Sequence, residues 1–550
     1  MGAASQTRSP WRDRFKFNHL SKRRERSGGI VLPSILIALV MATPLGYMLY
    51  YGSQVEPALW NKLWKTQLPG LLFNSLVLML IVTAGAVLLG LVLAWLVERT
   101  DIPGHTWLKP LLVSPLVIPC YIVAIAYVGF VGKRGLLERL LEAWGLHAEV
   151  PSLYGLGGTA FVLILATFPY VFALAVAALR KTNASLEEAA RSLGLTRWQV
   201  AFRVMLPLLA PALLGGAVLS ALYALSDFGV ASIFRYQTFT TAIYVLFNNH
   251  ERAAASALGL LLIAITVIIL FAQTQLWKER RVSADKISLR SLPRFSLGFW
   301  RGPALLLVWS SLTASFFLPI LIFVYWFIES LTVSATVAWM TNLNELVAHA
   351  LNSFWTSALA ATLAIGLAIL PAYWRGRRPN DRLGQGVVWL AQSGVALPGL
   401  LLALGLAFVL LKWFPALYFS VSVLVLVYVL RFFPQAFQSV LSGFSQIPER
   451  LEEGARLLGC TPVGIFWRVI RPLLQPALLA GWTLVFLNSV RELPATLLLH
   501  PAGFDTLTVR VWMAASEGYY GPAAPAALLL IVLSLPLLFF LWREHESALS

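Results

Sequence analysis

Twelve stretches of 18 or more residues contain no Asp, Glu, Lys, Arg or His: 30–55, 66–97, 110–132, 150–179, 204–226, 253–277, 302–328, 350–374, 383–411, 413–430, 472–490 and 518–542. Each is long enough to cross a hydrocarbon core of ~30 Å as a helix rising ~1.5 Å per residue. The composition agrees, with 58% of residues apolar and 12% charged. Soluble chains hold ~45–50% and ~25%. The chain lacks the polar surface for a soluble enzyme, and its two cysteines build no disulfide scaffold. The expected fold class is an all-α polytopic membrane protein of about twelve transmembrane helices.

An even number of spans places both termini on one side. With the N-terminus set as cytoplasmic, 31 Lys and Arg fall in tails and inner loops and 9 in outer loops, with Arg431 and Arg491 within or beside spans. This bias is the positive-inside pattern. The net charge of +17 is thus mainly a topology signal with attraction to anionic lipid heads, and nucleic acid is not an expected partner. The basic run Arg8–Arg26 precedes 26 charge-free residues, too long for the apolar core of a cleaved signal peptide, so a retained first helix is expected.

The chain repeats itself. Leu186–Gly216 and Leu451–Gly481 align at an offset of 265 with 18 of 31 positions identical. Asn74-Ser75 echoes Asn352-Ser353, Pro119 echoes Pro398, and Asp227 echoes Glu492. The predicted organisation is a basic cytoplasmic tail (1–29), a first six-span half (30–279), a cytoplasmic linker (280–301), a second six-span half (302–543) and a short cytoplasmic tail (544–550). Six spans per unit make the halves parallel repeats about an axis along the membrane normal. That geometry suits a transporter.

The repeated segment predicts a short cytoplasmic helix, a turn, and a second helix entering the membrane. Ser185 with Glu188, and Thr196 with Gln199, have capping-box spacing. Pro448 and Pro462 suit first helical turns, and Gly194 and Gly459 stand where a helix ends with φ > 0. Leu186, Ala190 and Leu193, like Leu451, Ala455 and Leu458, are spaced as an apolar stripe. An interfacial helix on lipid heads would explain the amphipathicity. Two copies with matched Glu, Gly and Pro spacing favour a helix that docks on another protein.

Glu188-Ala189-Ala190 with Gly194 and Pro207, and Glu453-Gly454-Ala455 with Gly459 and Pro472, resemble the coupling loop of binding-protein-dependent ABC permeases, in a fused two-half form. Gly454 departs from the family's usual Ala by one methyl. The resemblance implies a bacterial inner-membrane importer subunit. Each coupling helix would contact one of two copies of a cytoplasmic ABC ATPase subunit, and a periplasmic binding protein would deliver substrate. The chain carries no GxxxxGK[ST] phosphate loop, no HExxH and no GxSxG. It is expected to be a transport subunit without catalytic residues, cofactor or tight metal site, its ATP hydrolysed by a separate partner.

Two further stretches resemble iron(III) permeases: Ser226-Asp227-Phe228-Gly229-Val230 with Thr238–Tyr244, and Arg491–Leu499 with Phe504–Thr508. Permeases for thiamine, phosphonate, polyamine or sulfate share the general plan. Asp227 and Glu492, near the outer ends of the fifth and eleventh spans, are costly at membrane depth unless they face a cavity or partner. They are candidates for the translocation path, together with Arg491, Asn74 and Asn352. The competing readings are that Arg491 neutralises one acid at the interface and that the asparagines cap their spans. Trp60, Trp64, Trp326, Tyr519 and Tyr520 are expected in the interfacial aromatic belts. An ion-coupled secondary transporter also uses twelve spans, but would be expected to carry ionisable relays deep within them.

Overall fold

The computed structural model describes residues 28–132, 135–146, 152–182, 184–278, 294–332, 343–392, 394 and 397–547. The basic run Arg8–Arg26 and most of the linker, 279–293, lie outside the described residues. Among the described residues the secondary structure is helical, with one isolated bridge between Thr100 and Phe295.

The first half comprises α1 (Gly28–Ser53), α2 (Leu68–Arg99), α3 (Cys120–Val131), α4 (Leu156–Lys181), α5 (Ala184–Ser192), α6 (Leu206–Ser226), α7 (Phe239–Asn248) and α8 (Arg252–Lys278). The second comprises α9 (Leu318–Thr332), α10 (Leu343–Arg377), α11 (Gly399–Trp413), α12 (Val421–Gln446), α13 (Glu449–Leu457), α14 (Arg471–Val490), α15 (Leu507–Ser516) and α16 (Tyr520–Ser547). Ten helices among the described residues are long and apolar enough to cross a membrane. The shorter Gly399–Trp413 and Tyr520–Leu535 occupy the ninth and twelfth charge-free stretches.

Two stretches depart from the expectation of one helix each. The third is divided into His105–Val113, a 3₁₀ turn at Ser114–Val117, and α3, with Pro119 immediately before α3. The ninth is divided into Arg382–Ala391 and α11, with Pro398 immediately before α11. Proline has no N–H to donate and its ring clashes with the preceding turn, so each segment restarts after it. Trp326 also departs from the belt reading. It is buried and stacks on Tyr520 with ring centroids 4.9 Å apart.

The same trio packs in each half: α2 with α4 and α6, and α10 with α12 and α14. The first helix of each half reaches across. α1 lies against α10 and α11, while α9 lies against α3. The halves are therefore intertwined, and the seam between them runs through the core. π-Turns at Ala201–Met205 and Phe466–Ile470 precede α6 and α14. Their spacing matches the offset of the repeat.

Candidate coupling surface and translocation path

On α5 and α13 the Leu-Glu-Glu sequence places adjacent carboxylates on opposite sides. Glu188 and Glu453 are exposed. Glu187 and Glu452 are buried. Ala190 and Ala455 also turn inward, whereas Ala189 is exposed and Gly454 is half-buried. Helix periodicity dictates the division, since neighbours are ~100° apart around the axis.

The loop geometry follows the sequence. Gly194 has φ +85° and Gly459 φ +82°, the left-handed conformation that ends a helix most easily with glycine. Thr196 and Gln199 form the reciprocal capping pair, with the Thr196 N–H donating to Gln199 Oε1 at 2.9 Å and the Gln199 N–H to Thr196 Oγ1 at 3.4 Å. Thr461 caps the equivalent helix by accepting from the Gly464 N–H at 3.2 Å. Pro462 stands in its first turn. Pro448 differs from the expectation, occupying the cap position before α13.

The expected apolar stripe does not pack as one face against the rest of the chain. Its alanines are buried, but Leu193 is 83% exposed and Leu458 86%. Trp198 and Phe202 are exposed beyond α5, as are Leu457 at the end of α13 and Val463 and Trp467 beyond it. Trp198 and Phe202 stack with centroids 6.1 Å apart. Each loop thus leaves exposed a carboxylate and several large apolar side chains.

The inward carboxylates meet arginines at the ends of long helices. Glu187 is paired with Arg99, the last residue of α2, and both are buried. The Arg99 guanidinium lies over Trp95 and Phe295 at 5.5 and 5.1 Å from the ring centroids. Arg377, the last residue of α10, donates through Nε to Glu452 Oε1 at 2.8 Å. Its Nη1 donates to the Ile447 carbonyl at 2.9 Å. The Tyr373 hydroxyl donates to Glu452 Oε2 at 2.9 Å. Sequence reading assigned no role to Glu187, Glu452, Arg99 or Arg377. The available signal was a Leu-Glu-Glu triplet in both copies, with an arginine at the inner end of the second and eighth spans.

At the other end of the molecule the two acids cap short backbone segments. Asp227 follows α6 and accepts from the Val230 and Ala231 N–H groups at 2.9 and 3.2 Å. The Cys120 thiol lies 3.2 Å from Asp227 Oδ1, and the Tyr223 hydroxyl donates to Cys120 Sγ at 3.2 Å. Glu492 accepts from the Ala495 N–H at 3.4 Å. Gly399 stands where a Cβ would come within 2.2 Å of Glu492 Oε1. The longer acid thus occupies space that the missing side chain leaves open.

Neither Asp227 nor Glu492 has an ion-pair partner among the described residues. Arg491 does not neutralise them by contact. It donates to the Leu487 carbonyl at 2.9 Å, to Asn488 Oδ1 at 2.8 Å, and across the seam to the Leu116 carbonyl. Phe228 and Trp512, from opposite halves, approach within 5.5 Å nearby. Both acids therefore stand close to the seam.

Asn74 and Asn352 are not caps, because α2 and α10 begin at Leu68 and Leu343. Asn74 Nδ2 donates to the Gln237 carbonyl at 3.1 Å, and Asn352 Nδ2 to the Asp505 carbonyl at 3.0 Å. Ser75 accepts from the Phe239 N–H at 3.1 Å, and Ser353 from the Leu507 N–H at 2.8 Å. No cluster of three or more His, Cys, Asp or Glu suited to hold a metal occurs among the described residues.

Two repeated helical units with ten helices long and apolar enough to cross a membrane, matched exposed loops on one side and buried acids beside the seam suit the membrane subunit of a transporter. The family described as binding-protein-dependent transport system inner membrane component matches residues 86–283 and 364–541, and the chain belongs to it. The Fe(3+)-transport system permease protein FbpB 2 of Haemophilus influenzae is 29% identical over 512 residues, covering 92% of this chain and 96% of that protein. The ferric transport system permease protein FbpB of Actinobacillus pleuropneumoniae is 25% identical, covering 79% of this chain and 65% of that protein. The molybdenum transport system permease protein ModB of Escherichia coli is 30% identical, covering 36% of this chain and 88% of that protein.

Proposed function

We propose that the chain is the permease of an ATP-driven importer of ferric iron, moving cargo from a periplasmic binding protein to the cytoplasm by alternating access. The observation that carries the import reading is the duplicated coupling surface, where exposed Glu188 and Glu453 stand among uncovered apolar side chains. Each surface would receive one copy of a cytoplasmic ATPase subunit. The Lys and Arg bias supports cytoplasmic termini in an inner membrane, with domains divided at the linker 280–301. The two ferric-transport relatives each cover most of this chain, which favours ferric iron over an oxyanion.

Asp227 and Glu492 would line the path, with Asn74, Asn352 and Arg491 fixing the backbone around them. Carboxylates suit a hard cation that prefers oxygen ligands. A path must also release its cargo, which favours two separate weak sites over a cage. Proteoliposomes containing the permease, its ATPase and its binding protein should accumulate ferric iron when ATP is supplied, and should not accumulate molybdate or sulfate. Oxyanion uptake without iron uptake would overturn the cargo assignment. Uptake persisting without the ATPase would overturn the importer class.

A further inference from the structure

The structure assigns Glu187 and Glu452 as positioning residues that lock each coupling helix to a single continuous helix running to the buried acid on the far side. The inference rests on the docking of α5 and α13 and identifies how their movement leaves the docking surface. Three observations align along the same element in each half.

First, the buried Arg99–Glu187 pair and the partly buried Arg377–Glu452 pair join the coupling helices to the final residues of α2 and α10. Breaking a buried ion pair by removing one partner leaves an uncompensated charge, so the joint resists opening. Second, Asn74 and Ser75 on α2 hold the backbone of Gln237 and Phe239, and Asn352 and Ser353 on α10 hold Asp505 and Leu507. Third, the held segments reach the acids. Thr240 donates to the Asp227 carbonyl, and Thr508 to the Glu492 carbonyl at 3.5 Å.

The spacing is the same in both halves. Asn74 to Arg99 and Asn352 to Arg377 each span 25 residues of continuous helix, about 38 Å at 1.5 Å per residue. Glu187 precedes Asp227 by 40 positions, as Glu452 precedes Glu492. A helix hydrogen-bonded at one end and ion-paired at the other transmits displacement along its axis. The exposed Glu188 and Glu453 face the docking partner, while their buried neighbours fasten the docking helix to the helix that moves the path.

The test uses the reconstituted complex with its ATPase and binding protein. In Glu187→Gln/Glu452→Gln, the ATPase subunits should still co-purify, while iron taken up per ATP hydrolysed falls about tenfold, as expected when a buried charged joint is opened. The exchanged pairs Glu187→Arg/Arg99→Glu and Glu452→Arg/Arg377→Glu should recover part of that ratio. Glu188→Gln/Glu453→Gln should instead lose the ATPase subunits, which separates failure of docking from failure of transmission. An unchanged uptake ratio in the Gln variant would overturn the assignment, as would loss of the ATPase without recovery by exchange.

A second measurement needs no altered charge. Spin labels at Ser192 and Phe73, with Cys120 and Cys460 replaced by Ser, should keep one separation through the ATP cycle. A change in that separation on ATP binding would show that α5 and α2 move independently, and would contradict the joint.

Discussion

The two halves share their main connections and differ in what surrounds them. Both carry the inward Glu–Arg pair, the left-handed glycine, and the Asn-Ser tie. In the first half, Glu98 adds ion pairs to Lys109 at 2.6 Å and to Arg180 at 3.2 Å. The linker also passes there. Phe295 bonds the backbone at Arg99 and Asp101, and Arg301 pairs with Asp101 at 2.8 Å. In the second half, Tyr373 and Arg456 stand around Glu452 instead. The shared parts join the short helix bearing the exposed glutamate to the long helix bearing the Asn-Ser tie. The differing parts include the described end of the linker, where Phe295 and Arg301 meet the first half's Arg99–Asp101 segment.

The largest effect should come from removing the arginines. Arg99→Met leaves Glu187 buried without its ion-pair partner and should cost about 3–5 kcal/mol of local stability. Arg377→Met should cost less, because Tyr373 still donates to Glu452. Thermal unfolding of the two purified variants measures the ordering, and equal losses would break the proposed contrast.

The acid sites should respond next. Gly399→Ala forces a methyl against Glu492, at a cost of about 1–3 kcal/mol by overpacking, and should reduce iron uptake. Cys120→Ala, at the corresponding place in the first half, removes a thiol without adding bulk and should disturb uptake less. Restoration of uptake in Gly399→Ala by Glu492→Asp would sharpen the reading that acid length and neighbour size compensate.

The turn glycines should behave alike. An added Cβ at Gly194 or Gly459 meets nothing within 4 Å, so Ala there costs only the left-handed backbone penalty of about 1–2 kcal/mol. Equal losses of ATPase affinity in the two single variants would support a matched role.

The smallest effect is on pH dependence, and it concerns the loop that follows α2. The Leu297 N–H and Arg301 hold the Asp101 carboxyl below its ordinary 3.8. Burial and the charges of Arg294 and Lys109 hold His105 below its ordinary 6.5. Groups with lowered values contribute stability that is present above the ordinary value and lost as pH falls through the folded one. Once corrected for the intrinsic slowing of amide exchange in acid, exchange at Phe295 should therefore accelerate on acidification by more than exchange in the loop after Arg377. Matching acceleration in both loops would remove the asymmetry.

Much of this was legible in the sequence because charge is so scarce. Charge-free stretches located the spans, the offset of 265 paired the halves, and Gly194 and Gly459 fell where their turns require them. What stayed hidden depended on contacts. Both members of Glu187-Glu188 are carboxylates on one short helix, and only the contact with Arg99 identifies Glu187 as the one that turns inward. Asn74 looked like a cap because its partner, the Gln237 carbonyl, lies far along the chain. The breaks before α3 and α11 were foreshadowed by Pro119 and Pro398, but proline inside a charge-free stretch is also tolerated within membrane helices.

The most direct test is ATP hydrolysis by the reconstituted complex carrying Glu188→Ala, Glu453→Ala, or both. If each half couples to its own ATPase subunit, each single change should lower stimulated hydrolysis and the double change should abolish it. Hydrolysis and uptake at the unaltered level in the double variant would contradict the coupling role of these two loops.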